Sequence, residues 1–226
     1  KLYQEVNVEA TEKLFRQCIE DEVLRIVFAS SAAVYGDVEG GIMAVGSEKP
    51  PMSPYAETKI SGEKIAEKLS NDSTKITCLR FFNVYGPGQS HSNAYASAVP
   101  IFIEKLYRKK PIVIFGDGEQ TRDFIHVNDV CGAISNSFDF AIPNFSRYNL
   151  GTGESISINN LIKLLREIFA DFEIETEEPI YTTPREGDIL HSVADKSTIA
   201  PFFYQNEKTE IGAGLRDLVR KTISKK

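Results

Sequence analysis

The chain is poor in the residues that staple a fold or bind a metal. Its 226 residues hold three cysteines, Cys18, Cys78 and Cys131. Their number is odd and their spacing unpaired, which suits free buried thiols in a reducing, cytoplasmic setting better than disulfide bridges or a metal site. The three histidines, His91, His126 and His191, lie too far apart for a helical ligand pair, so no metal site is expected. Positive charge is not in excess either. Against 32 Asp and Glu stand 26 Lys and Arg, for a formal charge of −6. The basic residues are dispersed apart from pairs such as Lys109-Lys110 and Lys225-Lys226, which argues against nucleic acid as a partner. No apolar run is long enough to cross a bilayer, and no signal peptide opens the chain. What is present, 42% hydrophobic residues, suffices for a substantial core in one or two domains.

The most informative stretch is Ser53-Pro54-Tyr55-Ala56-Glu57-Thr58-Lys59. Pro54 is placed to open a helix, and Ile60, Ile65, Ala66 and Leu69 behind it keep helical spacing. Tyr55 and Lys59 therefore fall one turn apart on one face. A tyrosine base working near pH 7 needs its pKa of about 10 lowered by roughly three units, or about 4 kcal/mol. One ammonium ~6 Å away supplies only about 3 kcal/mol at an effective dielectric of ~20. A second cation is required, and the oxidised nicotinamide ring of NAD would provide it. Ser31, 24 residues before Tyr55, follows the apolar run Ile26-Val27-Phe28-Ala29, which reads as a buried parallel strand. A serine at the carboxyl end of such a strand stands where open α/β sheets bind ligands, and it can bridge a substrate hydroxyl to the tyrosine.

Ser30-Ser31-Ala32-Ala33-Val34-Tyr35-Gly36 followed by Tyr55-xxx-Lys59 resembles the extended short-chain dehydrogenase/reductase family, and within it the nucleotide-sugar epimerases. Further matching segments run almost to the C-terminus. The resemblance implies a Rossmann-like doubly wound parallel α/β sheet with a smaller C-terminal substrate-binding α/β domain. Residues 1–82 with 124–152 would form the NAD-binding domain, and 83–123 with 153–226 the nucleotide-sugar-binding domain. The family's Gly-rich pyrophosphate turn has no counterpart upstream of Ser31, and the first strands of such a sheet are expected to precede residue 1.

Along the chain, residues 7–21 have helical spacing, 37–52 are rich in Gly and Pro and read as a loop, and 75–82 read as a strand ending in the turn Gly86-Pro87-Gly88. Residues 95–108 form an amphipathic helix with a Pro boundary, and Pro111 to Gly118 a short strand ending in a turn. Ser157 is placed to cap a helix from Ile158 to Phe169. Residues 173–178 read as an exposed strand or loop, and an amphipathic helix closes the chain.

The resemblance assigns the roles. Tyr55, Ser31 and Lys59 would be catalytic, with Tyr55, Lys59, Phe82 and Ser30 against the cofactor. Ser31, Asn83, Val99, Phe115, Gly116, Arg122, Arg185, Asp188 and Ser192 would meet the substrate. In that scheme Phe115 walls the uracil, Gly116 lets backbone approach the base, and Arg122 and Arg185 bracket the diphosphate with their planar donor forks. From the residues alone, Phe82-Asn83 could equally be core followed by a turn cap, and Arg122 could pair with Asp123. Asp129 reads as a helix cap and His126 as structural. Ala32-Ala33 stand where the family's 4,6-dehydratases carry Asp-Glu, which leaves epimerisation as the implied reaction. The expectation is an NAD-dependent UDP-hexose 4-epimerase acting through a 4-keto sugar. A small residue at Ser192 leaves room for N-acetylated sugars. UDP-glucuronate epimerisation, dehydration or a non-catalytic sugar-binding subunit are the alternatives. A homodimer packed through the helices at Asn7 and Tyr55 is implied by the same resemblance.

Overall fold

The computed structural model describes residues 2–90, 97–185, 187–205 and 207–224. The chain runs through α1 (Leu2–Gln4), a π-helical turn (Glu5–Glu9), α2 (Ala10–Glu20), β1 (Arg25–Ser31), β2 (Ile42–Met43), α3 (Pro54–Leu69), β3 (Lys75–Phe81) and β4 (Asn83–Tyr85). It continues as α4 (Ala98–Tyr107), β5 (Val113–Phe115), β6 (Thr121–Arg122), β7 (Phe124–His126), α5 (Val127–Ser137) and β8 (Phe145–Leu150). The remainder is β9 (Ile156–Ser157), α6 (Ile158–Asp171), β10 (Ile180–Thr182), β11 (His191–Ala194) and α7 (Ile211–Ile223).

A parallel sheet in the order β1-β3-β8 carries Ser31 at its carboxyl end. Its middle strand is apolar on both faces, with Ile76, Cys78 and Leu79 wholly buried, because helices must cover both sides of a parallel sheet. Phe15 of α2 and Ala66 of α3 close over Ile76 and Cys78 on one side. On the other, Leu79 and Leu150 meet Val130, Ala133 and Phe202. One row crosses this sheet in polar residues: Ser30, Arg80 and Asn149 are in register on the three strands, and all three are buried.

A further core forms where α4, α6 and α7 converge. On α6, Leu161, Ile162, Leu165, Ile168 and Phe169 recur every three or four residues and bury a single face. Ser157 caps that helix through the Asn160 amide at 3.2 Å, as its sequence position predicts.

The short strands knit these layers. Within the segment read as loop, β2 pairs with β11, which joins β6 and then β9. The loop reading of 37–52 is thus corrected: a two-residue strand takes its identity from a partner about 150 residues away, not from local pattern. The helix read from 95 begins at Ala98, and Tyr95 lies outside the described residues, as do His91, Lys225 and Lys226. Asp129 is not the cap of α5. His126 is, accepting the Asn128 amide through Nδ1 at 3.2 Å, while the Asp129 carboxylate receives the Thr209 amide and hydroxyl at 3.1 and 2.8 Å.

Candidate active site

Helix α3 opens with Ser53 as its N-cap, its hydroxyl accepting the Ala56 amide at 3.2 Å, and with Pro54 at the first position, where a missing amide hydrogen costs nothing. This start places Tyr55 in the first turn. The residue remains 37% exposed, and its ring meets Tyr3 edge to face at 6.3 Å. One turn on, the Lys59 ammonium lies 5.7 Å from the centre of the Tyr55 ring and 5.1 Å from that of Phe28, and donates to the carbonyl of Ala29 at 2.9 Å. Burial pulls the Lys59 pKa below its ordinary value. Ser31 ends β1 and accepts the Ala33 amide at 3.2 Å, opening the 3₁₀ turn Ala32–Tyr35. With an acceptor position filled by that amide, the Ser31 hydroxyl proton is left to be donated outward. Helix α3 thus puts the phenol and the ammonium one turn apart, with the ammonium tied to the strand two residues before Ser31.

The residues assigned to the substrate form a second group. Arg122 reaches Asp188 at 2.8 Å and the carbonyls of Thr121 and Leu190 at 2.9 and 3.3 Å. Burial lowers its pKa and the Asp188 carboxylate works against that. The Arg122–Asp123 pair considered from sequence does not form. Asp123 is fully buried and accepts Thr152 N and Oγ1 on one oxygen and Gly153 N and Ala194 N on the other. Arg185 lies over Phe115, its guanidinium carbon 3.8 Å from the ring centre. Gly116 beside them has φ +83°, a conformation that suits glycine, and its amide bonds Thr182 O at 2.9 Å. The Asn83 side-chain amide donates to Asp123 O at 3.1 Å.

Four assigned side chains are buried and engaged within the fold. Phe82, 5% exposed, packs against Tyr35 with ring centres 6.4 Å apart. Val99 is wholly buried in the core around α4. The Ser30 hydroxyl is spent on Glu63 at 2.6 Å. Ser192 is buried with Oγ 3.5 Å from Met43 Sδ, so it borders packed sulfur where open space was expected. Phe82, Val99 and Ser192 serve packing between layers, and Ser30 a buried hydrogen bond.

Glu63 and Arg80 were not singled out from sequence. Glu63 continues the Tyr55, Lys59 face by one more turn, and Arg80 interrupts the apolar run of β3; a charge inside a buried strand is the signal that points to it.

The family model for the NAD dependent epimerase/dehydratase family matches residues 1–151. The chain belongs to this family. A putative UDP-glucose 4-epimerase of Methanocaldococcus jannaschii is 35% identical over 197 residues, covering 84% of this chain and 61% of the relative. Among solved structures, the UDP-N-acetylglucosamine 4-epimerase from Methanobrevibacter ruminantium M1 in complex with UDP-N-acetylmuramic acid superposes with a TM-score of 0.88 at 31% identity, covering 99% of this chain and 70% of that one. The Thermus thermophilus UDP-glucose 4-epimerase in complex with NAD gives 0.81 at 29%, covering 96% and 70%. The chain spans about half to three-fifths of the length of the curated relatives it matches. Its parallel-stranded α/β architecture is the Rossmann-like one of these epimerase structures.

Proposed function

We propose that the protein is an NAD-dependent UDP-hexose 4-epimerase. The observation that carries this is the Tyr55–Lys59 pair on one face of α3 beside Ala29, two residues before Ser31. The residues present fit the nicotinamide-ribose end of NAD: Lys59 spends one of its three hydrogens on Ala29 O and shares its face with an exposed phenol, so donors remain for a ribose diol. NAD, when bound, would supply the hydride-accepting and hydride-donating chemistry. Tyr55 takes the proton of the sugar 4-hydroxyl, Ser31 bridges that hydroxyl to the phenol, and Lys59 orients the ribose and favours the phenolate. With the 4-keto sugar presenting its other face, Tyr55 would return the proton to its oxygen. Ala32 and Ala33 offer no acid to expel a hydroxyl, which supports epimerisation over dehydration.

In this reading, residues 83–123 with 153–226 hold the nucleotide, with Arg122 and Arg185 near the diphosphate and Phe115 and Gly116 near the base, while 1–82 with 124–152 serve the cofactor. N-acetylated substrates are supported by the likeness to the Methanobrevibacter enzyme, since Ser192 no longer argues for them. A homodimer belongs to the same proposal and is supported by Leu2, Val6 and Leu14, which stand 57–71% exposed along the helical run that packs on α3. The three free cysteines suit a cytoplasmic setting, although of the thiols expected to be buried only Cys78 is: Cys18 is half-buried and Cys131 exposed.

The test is conversion of UDP-glucose and of UDP-N-acetylglucosamine to their 4-epimers by the full protein, followed by chromatography, with bound NAD identified by mass spectrometry. Tyr55→Phe is expected to cut turnover by about 100-fold or more. Wild-type protein that holds NAD and epimerises neither sugar would refute the proposal.

A further inference from the structure

One turn beyond Lys59 on the same face of α3 lies a buried ionic cluster that no step of the proposed chemistry uses. Its centre is Glu63, 3% exposed. One carboxylate oxygen accepts the Ser30 hydroxyl at 2.6 Å and Arg80 Nε at 2.9 Å; the other accepts Arg80 Nη2 at 2.6 Å, and Arg147 Nε stands 3.2 Å from it as an ion-pair contact without a hydrogen bond. Arg80, also 3% exposed, reaches Glu48 with its remaining nitrogen and stacks on the Tyr35 ring at 4.7 Å. Tyr35 in turn donates to Asn149 at 2.5 Å. Burial pulls the Arg80 pKa down, and the Glu63 carboxylate with Tyr35 more than reverses it, so the guanidinium stays charged.

The connections are specific to the candidate catalytic groups. Tyr55, Lys59 and Glu63 follow one another at intervals of four residues along α3, and so share a face. Lys59 ties that face to the backbone of Ala29, and Glu63 ties it to the side chain of Ser30. The next residue is Ser31. Arg80 extends the tie to the segment that leads into α3: Glu48 lies on it, and the Lys49 amide bonds Tyr35 O at 2.9 Å. A buried ion pair is a weak source of stability but a strong constraint on geometry, because each partner must stay where the other's bonds are satisfied.

We infer that Glu63, held by Arg80, is a positioning residue that sets the Ser31 hydroxyl against the Tyr55–Lys59 pair. Resting on the epimerase reading, the inference adds a requirement for register between β1 and α3. A displacement of about 1 Å between reacting groups costs on the order of 100-fold in rate.

Three variants test it: Ser30→Ala, Glu63→Gln and the double substitution Glu63→Met with Arg80→Met, which replaces the pair by apolar side chains and avoids a lone buried charge. Readouts are kcat, KM, the thermal midpoint, and amide hydrogen exchange at residues 29–33 and 53–60. Glu63→Gln is expected to lower kcat by about 10- to 100-fold with KM within about twofold. The double variant is expected to keep its thermal midpoint and still lose kcat, with faster exchange confined to the two segments. Ser30→Ala, which removes one hydroxyl, is expected to lower kcat by about 3- to 10-fold, and it decides the matter if the double variant fails to fold. A folded double variant, or Ser30→Ala, with wild-type kcat and exchange would overturn the inference. If the wild type turns over no UDP-hexose, the epimerase reading fails, and exchange alone then decides whether Glu63 fixes the two segments.

Discussion

Asp123 is the residue whose surroundings say most about its task. Its four partners all donate hydrogens: two amides and a hydroxyl from the Thr152-Gly153 turn after β8, and the Ala194 amide of β11. Burial raises its pKa while those hydrogen bonds oppose the rise. The carboxylate is thus a junction between two sheets, in a place that calls for an acceptor on both oxygens. Asp123→Asn would aim an NH2 group at amide hydrogens, and it is expected to cost on the order of 3 kcal/mol, read as a lowered urea midpoint. An Asn variant as stable as wild type would show that the junction tolerates a donor. From sequence, Asp123 was visible only as a possible partner for its neighbour Arg122. That limit is physical: residues adjacent on a strand point to opposite faces, so nearness in sequence does not predict pairing. Arg122 found Asp188, 66 residues on.

Among the elements, α3 was the most legible. Ser53, Pro54 and the apolar spacing behind them are local signals, and the helix runs Pro54–Leu69 with those residues in the roles their chemistry dictates. Gly62 in its middle has a tertiary explanation. A Cβ there would come within 2.5 Å of Phe28 Cζ and 2.9 Å of Cε1, and Phe28 is wedged between Phe15 and the Lys59 ammonium. Gly62→Ala gains about 1 kcal/mol of helix propensity and loses about 1–3 kcal/mol to overpacking. The net outcome expected is a lower melting temperature by circular dichroism; a higher one would mean that Phe28 moves aside without resistance. What local pattern did not convey is how elements are shared. Strand β2 depends on β11, a partner that only the folded chain supplies.

At the scale of the molecule, the polar row Ser30–Arg80–Asn149 and its outlier Glu48 link the sheet, the approach to α3 and the segment after β11. Burial works to raise the Glu48 pKa, but hydrogen bonds from Arg80 and nearby backbone amides prevail and bring it below the ordinary 4.5. A carboxyl held low when folded contributes stability that is complete above about pH 4.5 and is lost as pH falls through its folded value. Thermal melts from about pH 6 to about pH 3 should therefore show a steeper acid decline for wild type than for Glu48→Gln. Parallel slopes would remove Glu48 from the account. The side that carries Arg122 and Arg185 is held by different contacts. Arg122 already grips Asp188, and Arg185 already covers Phe115. An anionic guest arriving there enters an occupied handshake: it gains only the difference between the new grasp and the one released, so affinity at this surface is governed as much by what lets go as by what takes hold.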